Sequence, residues 1–316
     1  MSRRSPVRLG LDLPAPAAFS CAAASLIDEL INVVDAAEVG GFDAVMVPDH
    51  TVMPDMLGGP SAPLFEPLTT LAAIAARTER IGFATSVLAN GLRNPALVAK
   101  AFTSLDLIAP GRSVLGIGAG WYPPDFTSIG KSFAAPGDRV AMLDEALTII
   151  RSLLRGDETT VHGRWHTTDA ARNEPRIGGT GPPIVVGASG DRMLELAVRR
   201  GDGVNINCEL PALAGRVRAL ERICREHDRD RDEITVTAPV ILLPAEGDAA
   251  PLPDDHPFAT RMFRGDLPSL ADQVMAHVQR SRVDGVHVVL AGERAADPAL
   301  VRSLGEVLRP AITADR

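Results

Sequence analysis

The chain has 316 residues, 46% of them hydrophobic and 23% charged, with a formal net charge of −8. That balance suits a soluble enzyme and argues against a nucleic-acid partner, because phosphate binding wants a basic surface. No apolar run approaches the roughly 20 residues of a membrane span. Cys21, Cys208 and Cys224 have neither the number nor the spacing of a disulfide or metal framework, so a reducing, cytoplasmic setting is expected. The start, MSRRSPVRLGLDLP, is basic but lacks the apolar core of a signal peptide.

In chain order, short β-branched runs alternate with longer helical patterns. The predicted strands are residues 7–13, 43–48, 81–89, 112–118, 183–188, 203–207, 234–243 and 285–291. Predicted helices lie near 24–39, 67–78, 96–108, 138–155, 190–200, 211–227, 269–282 and 297–311. Asn94 followed by Pro95 has the form of an N-cap with proline in the first helical position. Ser269 with Asp272 resembles a capping box, with Asp in place of Glu.

Eight such pairs predict a parallel (β/α)8 TIM barrel, one domain over residues 1–316. The strands are apolar on both faces, as helix-covered parallel strands should be. Two connections exceed what a βα unit needs. Residues 156–182, after helix four, read as a small hairpin or excursion, and residues 244–268, after strand seven, as a partial lid or a merely mobile loop at the barrel mouth.

The stretch RSVLGIGAGWYPPDF, 112–126, alternates glycines at 116, 118 and 120. A dinucleotide fingerprint fails here, since Trp121 stands where G-x-G-x-x-G needs its third glycine. Pro123 and Pro124 are read as forbidding an immediate helix. The alternative is a strand end kept bare so that something flat can lie against it.

In a barrel, chemistry gathers where strands end. The strand ends here supply Asp12, Asp49, His50, Ser86 to Asn90, Gly118 to Tyr122, Gly187 to Asp191 and Asn205 to Cys208. They hold few nucleophiles, no metal-ligand cluster, no G-x-S-x-G elbow and no Walker A loop, which suits a planar cofactor better than a hydrolytic triad. Asp49 and His50 are proton-transfer candidates, or a turn cap and a satisfied histidine. The amides of Ala188, Ser189 and Gly190 either cradle an anion or form a tight turn with Ser189 as N-cap. Trp121 and Tyr122 make an apolar stacking wall. His162 and His166 flank a glycine in the expected hairpin and do not read as a metal site; Cys208 reads as a small buried side chain.

These motifs add up to a family likeness. AEVGGFDAVMVPDH, EPLTTLAAIAARTERIGFATSVL, RNPALVAKAFTSLDLIAPGRSVLGIGAGW and PPIVVGASGDRMLELAVRRGDGVNIN resemble, in order and spacing, the bacterial luciferase-like superfamily. The resemblance implies a (β/α)8 barrel that binds FMN or the deazaflavin coenzyme F420. GFATSVLANGLRNP followed by GIGAGW looks most like the F420-dependent oxidoreductases. It implies a non-proline cis peptide between Ser86 and Val87 behind the ring, with Thr85, Gly118, Ala119 and Gly120 beside it, and Gly187, Ala188, Ser189 and Gly190 at the phosphate. On this likeness the glycines of GIGAG admit the ring system.

The expected activity is therefore hydride transfer between C5 of F420 and a small organic substrate, with C=C or C=N reduction favoured. His50 and Asp49 are expected to handle the proton, and Trp121, Tyr122 and Phe258 to line the substrate pocket. An FMN-dependent luciferase-like monooxygenase is the alternative, and a non-catalytic flavin- or deazaflavin-binding protein the second. Relatives that oxidise sugar phosphates carry a glutamate directly after the G-x-G and a tryptophan shortly after the Asp-His pair. Trp121 and Pro54 stand there instead, which argues against that substrate. No metal, nucleic acid or membrane partner is expected, and a homodimer is compatible with the chain.

Overall fold

The computed structural model describes residues 5–55, 59–176, 178–179, 181–245 and 258–313. The first half runs β1 (Leu9–Asp12), α1 (Leu26–Gly40), β2 (Ala44–Val47), α2 (Pro67–Arg77), β3 (Gly82–Thr85), β4 (Leu88–Ala89), α3 (Pro95–Ile108), β5 (Ser113–Gly118), α4 (Pro123–Thr127) and α5 (Pro136–Leu154). It continues through β6 (Thr159–His162), β7 (Thr167–Ala171), β8 (Ile184–Ala188), α6 (Asp191–Arg200), β9 (Gly203–Ile206), α7 (Leu213–Glu226), β10 (Thr235–Pro244), β11 (Met262–Gly265), α8 (Leu267–Ser281), β12 (Gly285–Leu290) and α9 (Pro298–Thr313).

Ten strands form the main sheet among the described residues, in the order β11-β10-β12-β1-β2-β3-β5-β8-β9, with β4 paired to β5. The pairing of β9 with β10, from Gly203–Thr235 to Asn205–Thr237, closes the circle. Setting aside the appended β4 and β11 leaves eight parallel strands and a (β/α)8 barrel. β6 and β7 form a separate antiparallel hairpin, the excursion expected after the fourth long helix. β11 runs parallel to the outer half of β10, pairing Met262–Gly265 with Ile241–Pro244. The expected lid over 244–268 thus returns as an added strand beside the mouth, while residues 246–257 lie outside the described residues.

Strand alternation sorts the core into two. Leu9, Leu11, Val45, Phe83, Leu115, Ile117, Val186 and Val204 face the helices. Val7, Ala44, Met46, Ala84, Val114 and Val185 fill the barrel interior.

Helix starts follow local chemistry. Asn94 Oδ1 accepts from the Ala96 amide at 2.9 Å, with Pro95 opening α3 as expected. The cap of α8 is Asp266, which accepts from the Ser269 amide at 2.9 Å, so the Ser269/Asp272 box was read one turn too late. Pro123 and Pro124 do not block a helix but open one: α4 begins at Pro123. Its first amides have no intrahelical partner, so proline's missing donor costs nothing there.

The base of the barrel repeats one device. A carboxylate accepts from the amide that starts a strand: Asp43 from Leu9 at 2.9 Å, Glu38 from Ile81 at 2.6 Å, Asp202 from Ile184 at 2.9 Å and Asp284 from Val236 at 2.8 Å. Each of the four also pairs with an arginine, namely Arg309, Arg80, Arg151 and Arg231 respectively.

Candidate active site

The mouth is built from the carboxyl ends of β2, β3–β4, β5 and β8. Beyond β2, His50 turns toward α4. Its Nδ1 donates to Asp125 Oδ2 at 2.8 Å, and Asp125 Oδ1 accepts from the amides of Thr51 at 2.8 Å and Val52 at 3.2 Å. The Thr51 hydroxyl donates to the Asp125 carbonyl at 2.9 Å. Donors surround the buried Asp125 carboxylate, so it serves as acceptor and fixes the imidazole with hydrogen on Nδ1. That leaves Nε2, which makes no hydrogen bond among the described residues.

Two rings complete this wall. Trp121 meets His50 edge-on at 5.6 Å and 88°, Tyr122 does so at 6.1 Å and 80°, and Trp121 lies 5.3 Å from Tyr122. Trp121 is 57% exposed, an unusual place for an indole unless something stacks on it.

Asp49 points elsewhere. Its carboxylate takes a bidentate pair from Arg93, at 2.7 and 3.0 Å, and the Ala89 amide at 2.8 Å. Arg93 also reaches Glu66 at 2.7 Å. Burial disfavours the Arg93 charge, but the two carboxylates outweigh it and raise its pKa. Asp49 thereby anchors the strand-three segment. Arg93→Met should cost on the order of 3 kcal/mol in urea unfolding, because it strands a buried carboxylate; an unchanged midpoint would contradict the anchor.

The Ser86–Val87 bond is cis, at the position the resemblance implied. Thr85 is buried and its hydroxyl donates to the Gly116 carbonyl at 2.6 Å. The strand-end glycines have a packing reason within the protein. A Cβ on Gly118 would lie 3.0 Å from Val87 Cγ2, one on Gly187 2.9 Å from it, and one on Gly116 1.9 Å from the Thr85 carbonyl oxygen. Val87 thus packs against the bare surface of β5 and β8. Gly120 has φ +78° and turns the chain over Phe126, whose Cζ would be 2.8 Å from a Cβ there. Ala119 packs against the outer core.

At β8, Ala188 ends the strand and Gly190 is the N-cap of α6, with no side chain capping it. A Cβ on Gly190 would meet nothing within 4 Å. Ser189 is therefore not the N-cap, and the start of α6 keeps its amides and positive dipole end unsatisfied by any side chain. Phe258 lies in the turn before β11, its carbonyl accepting from the Arg261 amide at 2.9 Å. Arg261 ties that turn to Asn207 at 2.8 Å and Glu209 at 2.9 Å, on the β9 side of the mouth. Cys208 is partly buried, and burial raises its thiol pKa.

The structure thus gathers His50, Trp121 and Tyr122 on one wall, and sets Ala188 to Gly190 on another. Asp125 and Arg93 were missed as site residues, whereas Asp12 was among the strand-end candidates. Asp125 was detectable: prolines in the first helical positions followed by an acid are a helix-start signature.

Fold and mouth together define a parallel barrel with a carboxylate-held histidine and an open helix start at its catalytic end. Residues 9–284 match the luciferase-like monooxygenase family, and the chain belongs to that family. An F420-dependent glucose-6-phosphate dehydrogenase of Nakamurella multipartita is 37% identical over 176 residues, covering 55% of this chain and 50% of that protein. The chain thus spans about half the length of the curated relatives it matches. The coenzyme F420-dependent tetrahydromethanopterin reductase of Methanopyrus kandleri has a similar fold, with TM-score 0.75 and 19% identity over 96% of this chain and 99% of that one. A riboflavin lyase, solved with modified FMN and riboflavin, superposes with TM-score 0.79 at 16% identity, over 96% and 91%. No helix among the described residues is long and apolar enough to cross a membrane.

Proposed function

We propose that the protein is an F420-dependent oxidoreductase that moves a hydride between the deazaflavin and a small organic substrate, with reduction of a C=C or C=N bond favoured. The observation that carries this reading is the His50–Asp125 pair, which presents one free imidazole nitrogen beside an exposed indole. Such a cofactor supplies a two-electron hydride at its C5 carbon. The protein's own part is to place the substrate and to move one proton at His50 Nε2. Asp125 keeps that nitrogen oriented and stabilises the imidazolium when it carries two hydrogens. Trp121 and Tyr122 supply a flat apolar wall for the substrate and hold water away from the imidazole.

The residues present fit the cofactor. The uncapped start of α6 at Gly190, with empty space where a Cβ would stand, suits a phosphate. The partial likeness to F420-dependent glucose-6-phosphate dehydrogenases supports the deazaflavin. Trp121 stands where relatives that oxidise sugar phosphates carry the acid their mechanism uses, which argues against a sugar-phosphate substrate. The second reading is an FMN-dependent monooxygenase, favoured by the family match itself.

Equilibrium titration of the cofactor-free protein with F420 and with FMN tests the choice. Tighter F420 binding is expected, and a preference for FMN would turn the reading to the monooxygenase. In the same experiment Gly190→Asp should weaken F420 by about tenfold or more, since it sets a carboxylate against the phosphate. Asp is at least as good an N-cap as Gly, so the variant should melt no lower than wild type. Equal affinity in the two proteins would remove the phosphate site from the start of α6.

A further inference from the structure

One titratable group at the mouth has no part in the scheme above. Asp12 ends β1, and alternation from Gly10 puts it inside the barrel, because a Cβ on Gly10 would touch Met46 and the His287 ring. Asp12 sits level with Met46 of β2 and Val289 of β12, and the Ser86 hydroxyl hydrogen-bonds its carboxyl. Its Oδ1 is shut away from water and has no hydrogen-bond partner among the described residues.

Among the described residues its surroundings offer it no positive charge. On β12 its register partner is Val289, and the next inward residue below is His287, level with Gly10; that ring is buried against Asn205 and desolvation pushes its pKa down to about 3, so it is neutral. From β2 it faces Met46 and from β3 Ser86, neither of them charged. Desolvation outweighs the Ser86 hydrogen bond and pushes the Asp12 carboxyl up to about 7. A carboxylate with one oxygen unsatisfied costs more than a carboxylic acid in such a place. Asp12 is only partly buried, so the acid can keep its O–H on the oxygen open to the mouth, where no described residue but Ser86 offers an acceptor.

We propose that Asp12 holds a proton in the free protein at neutral pH and donates it as a hydrogen bond to a ring carbonyl or ring nitrogen of the cofactor in the mouth. This rests on the reading that a flavin-type ring occupies the mouth. It places a donor on the barrel floor, beside Ser86 of the strand-three bulge and apart from His50. Asp12 would fix the ring's position and pull electron density toward that acceptor atom.

The sign of the linkage follows. If the protonated form binds the ring, affinity is full below the free carboxyl's titration point. It falls as pH rises through that point, by up to about tenfold per pH unit. Two measurements test this. In cofactor-free protein labelled with carbon-13 at aspartate carboxyls, one resonance should titrate near neutral pH and be absent from Asp12→Asn. An Asp12 carbon that titrates wholly below about pH 5 overturns the proposal. Affinity for oxidised F420 is then measured from pH 6 to 9 in both proteins. Asn keeps an N–H donor that does not titrate, so the wild-type to variant affinity ratio should fall about tenfold between pH 7.5 and 8.5. A ratio that stays constant overturns the donor role, and the comparison cancels any titration of the cofactor itself. Failure of both F420 and FMN to bind at any pH would overturn the cofactor reading and the donor role with it, while the carbon titration alone decides where the proton sits.

Discussion

Replacing His50 with asparagine should lower turnover by about 10²–10⁴-fold while leaving cofactor affinity within about threefold. Asn preserves polarity and much of the size but carries no group that titrates. Asp125→Asn makes a sharper probe of the same pair. Asn Oδ1 can still accept from Thr51 and Val52, whose amides lie 2.8 and 3.2 Å from the present carboxylate oxygen. Its amide nitrogen would then face His50 Nδ1, donor against donor, and force the imidazole to carry its hydrogen on Nε2 instead. Turnover should fall by about tenfold or more, and its pH profile should move, because the imidazolium loses its carboxylate. Stopped-flow oxidation of reduced cofactor by the best available substrate reads both. Wild-type rates in His50→Asn would hand the proton to a bound water, and an unmoved profile in Asp125→Asn would make that pair merely structural.

The second large effect concerns folding. A methyl on Gly116 would stand 1.9 Å from the Thr85 carbonyl oxygen, a backbone atom that cannot swing aside. Gly116→Ala should therefore cost more than about 4 kcal/mol, enough to leave much of the chain unfolded. Gly187→Ala collides instead with a Val87 methyl at 2.9 Å, which a smaller residue would relieve. Val87→Ala should recover part of the Gly187→Ala loss and little of the Gly116→Ala loss. Urea midpoints for the two single variants and the two doubles decide it. Gly190→Ala, with nothing within 4 Å, is the control. Full stability in Gly116→Ala would show that β3 and β5 can move apart.

The barrel was legible in the sequence because its strands are short apolar runs separated by long amphipathic ones, and Asn94 and Pro95 mark a helix start in plain chemistry. What escaped were facts of three-dimensional neighbourhood. Asp49 and His50 are adjacent in sequence, yet one faces Arg93 and the other Asp125, 75 positions away. Nothing in the run VPDH tells them apart. The glycines of GIGAG mark a bare strand end in the sequence, but nothing in the run shows that the Thr85 carbonyl packs against Gly116, Val87 against Gly118 and Phe126 against Gly120. Pro123 and Pro124 misled for a simpler reason: a proline that breaks a helix in its middle is at home in its first turn.

The four carboxylate–arginine latches at the base have an implication for how this chain can change. They hold the starts of β1, β3, β8 and β10 at the end of the barrel opposite His50 and Trp121. Distant sites with no shared partners contribute independently. Divergence can therefore rework the rim residue by residue, trading one substrate for another, without drawing on the margin that keeps the staves together.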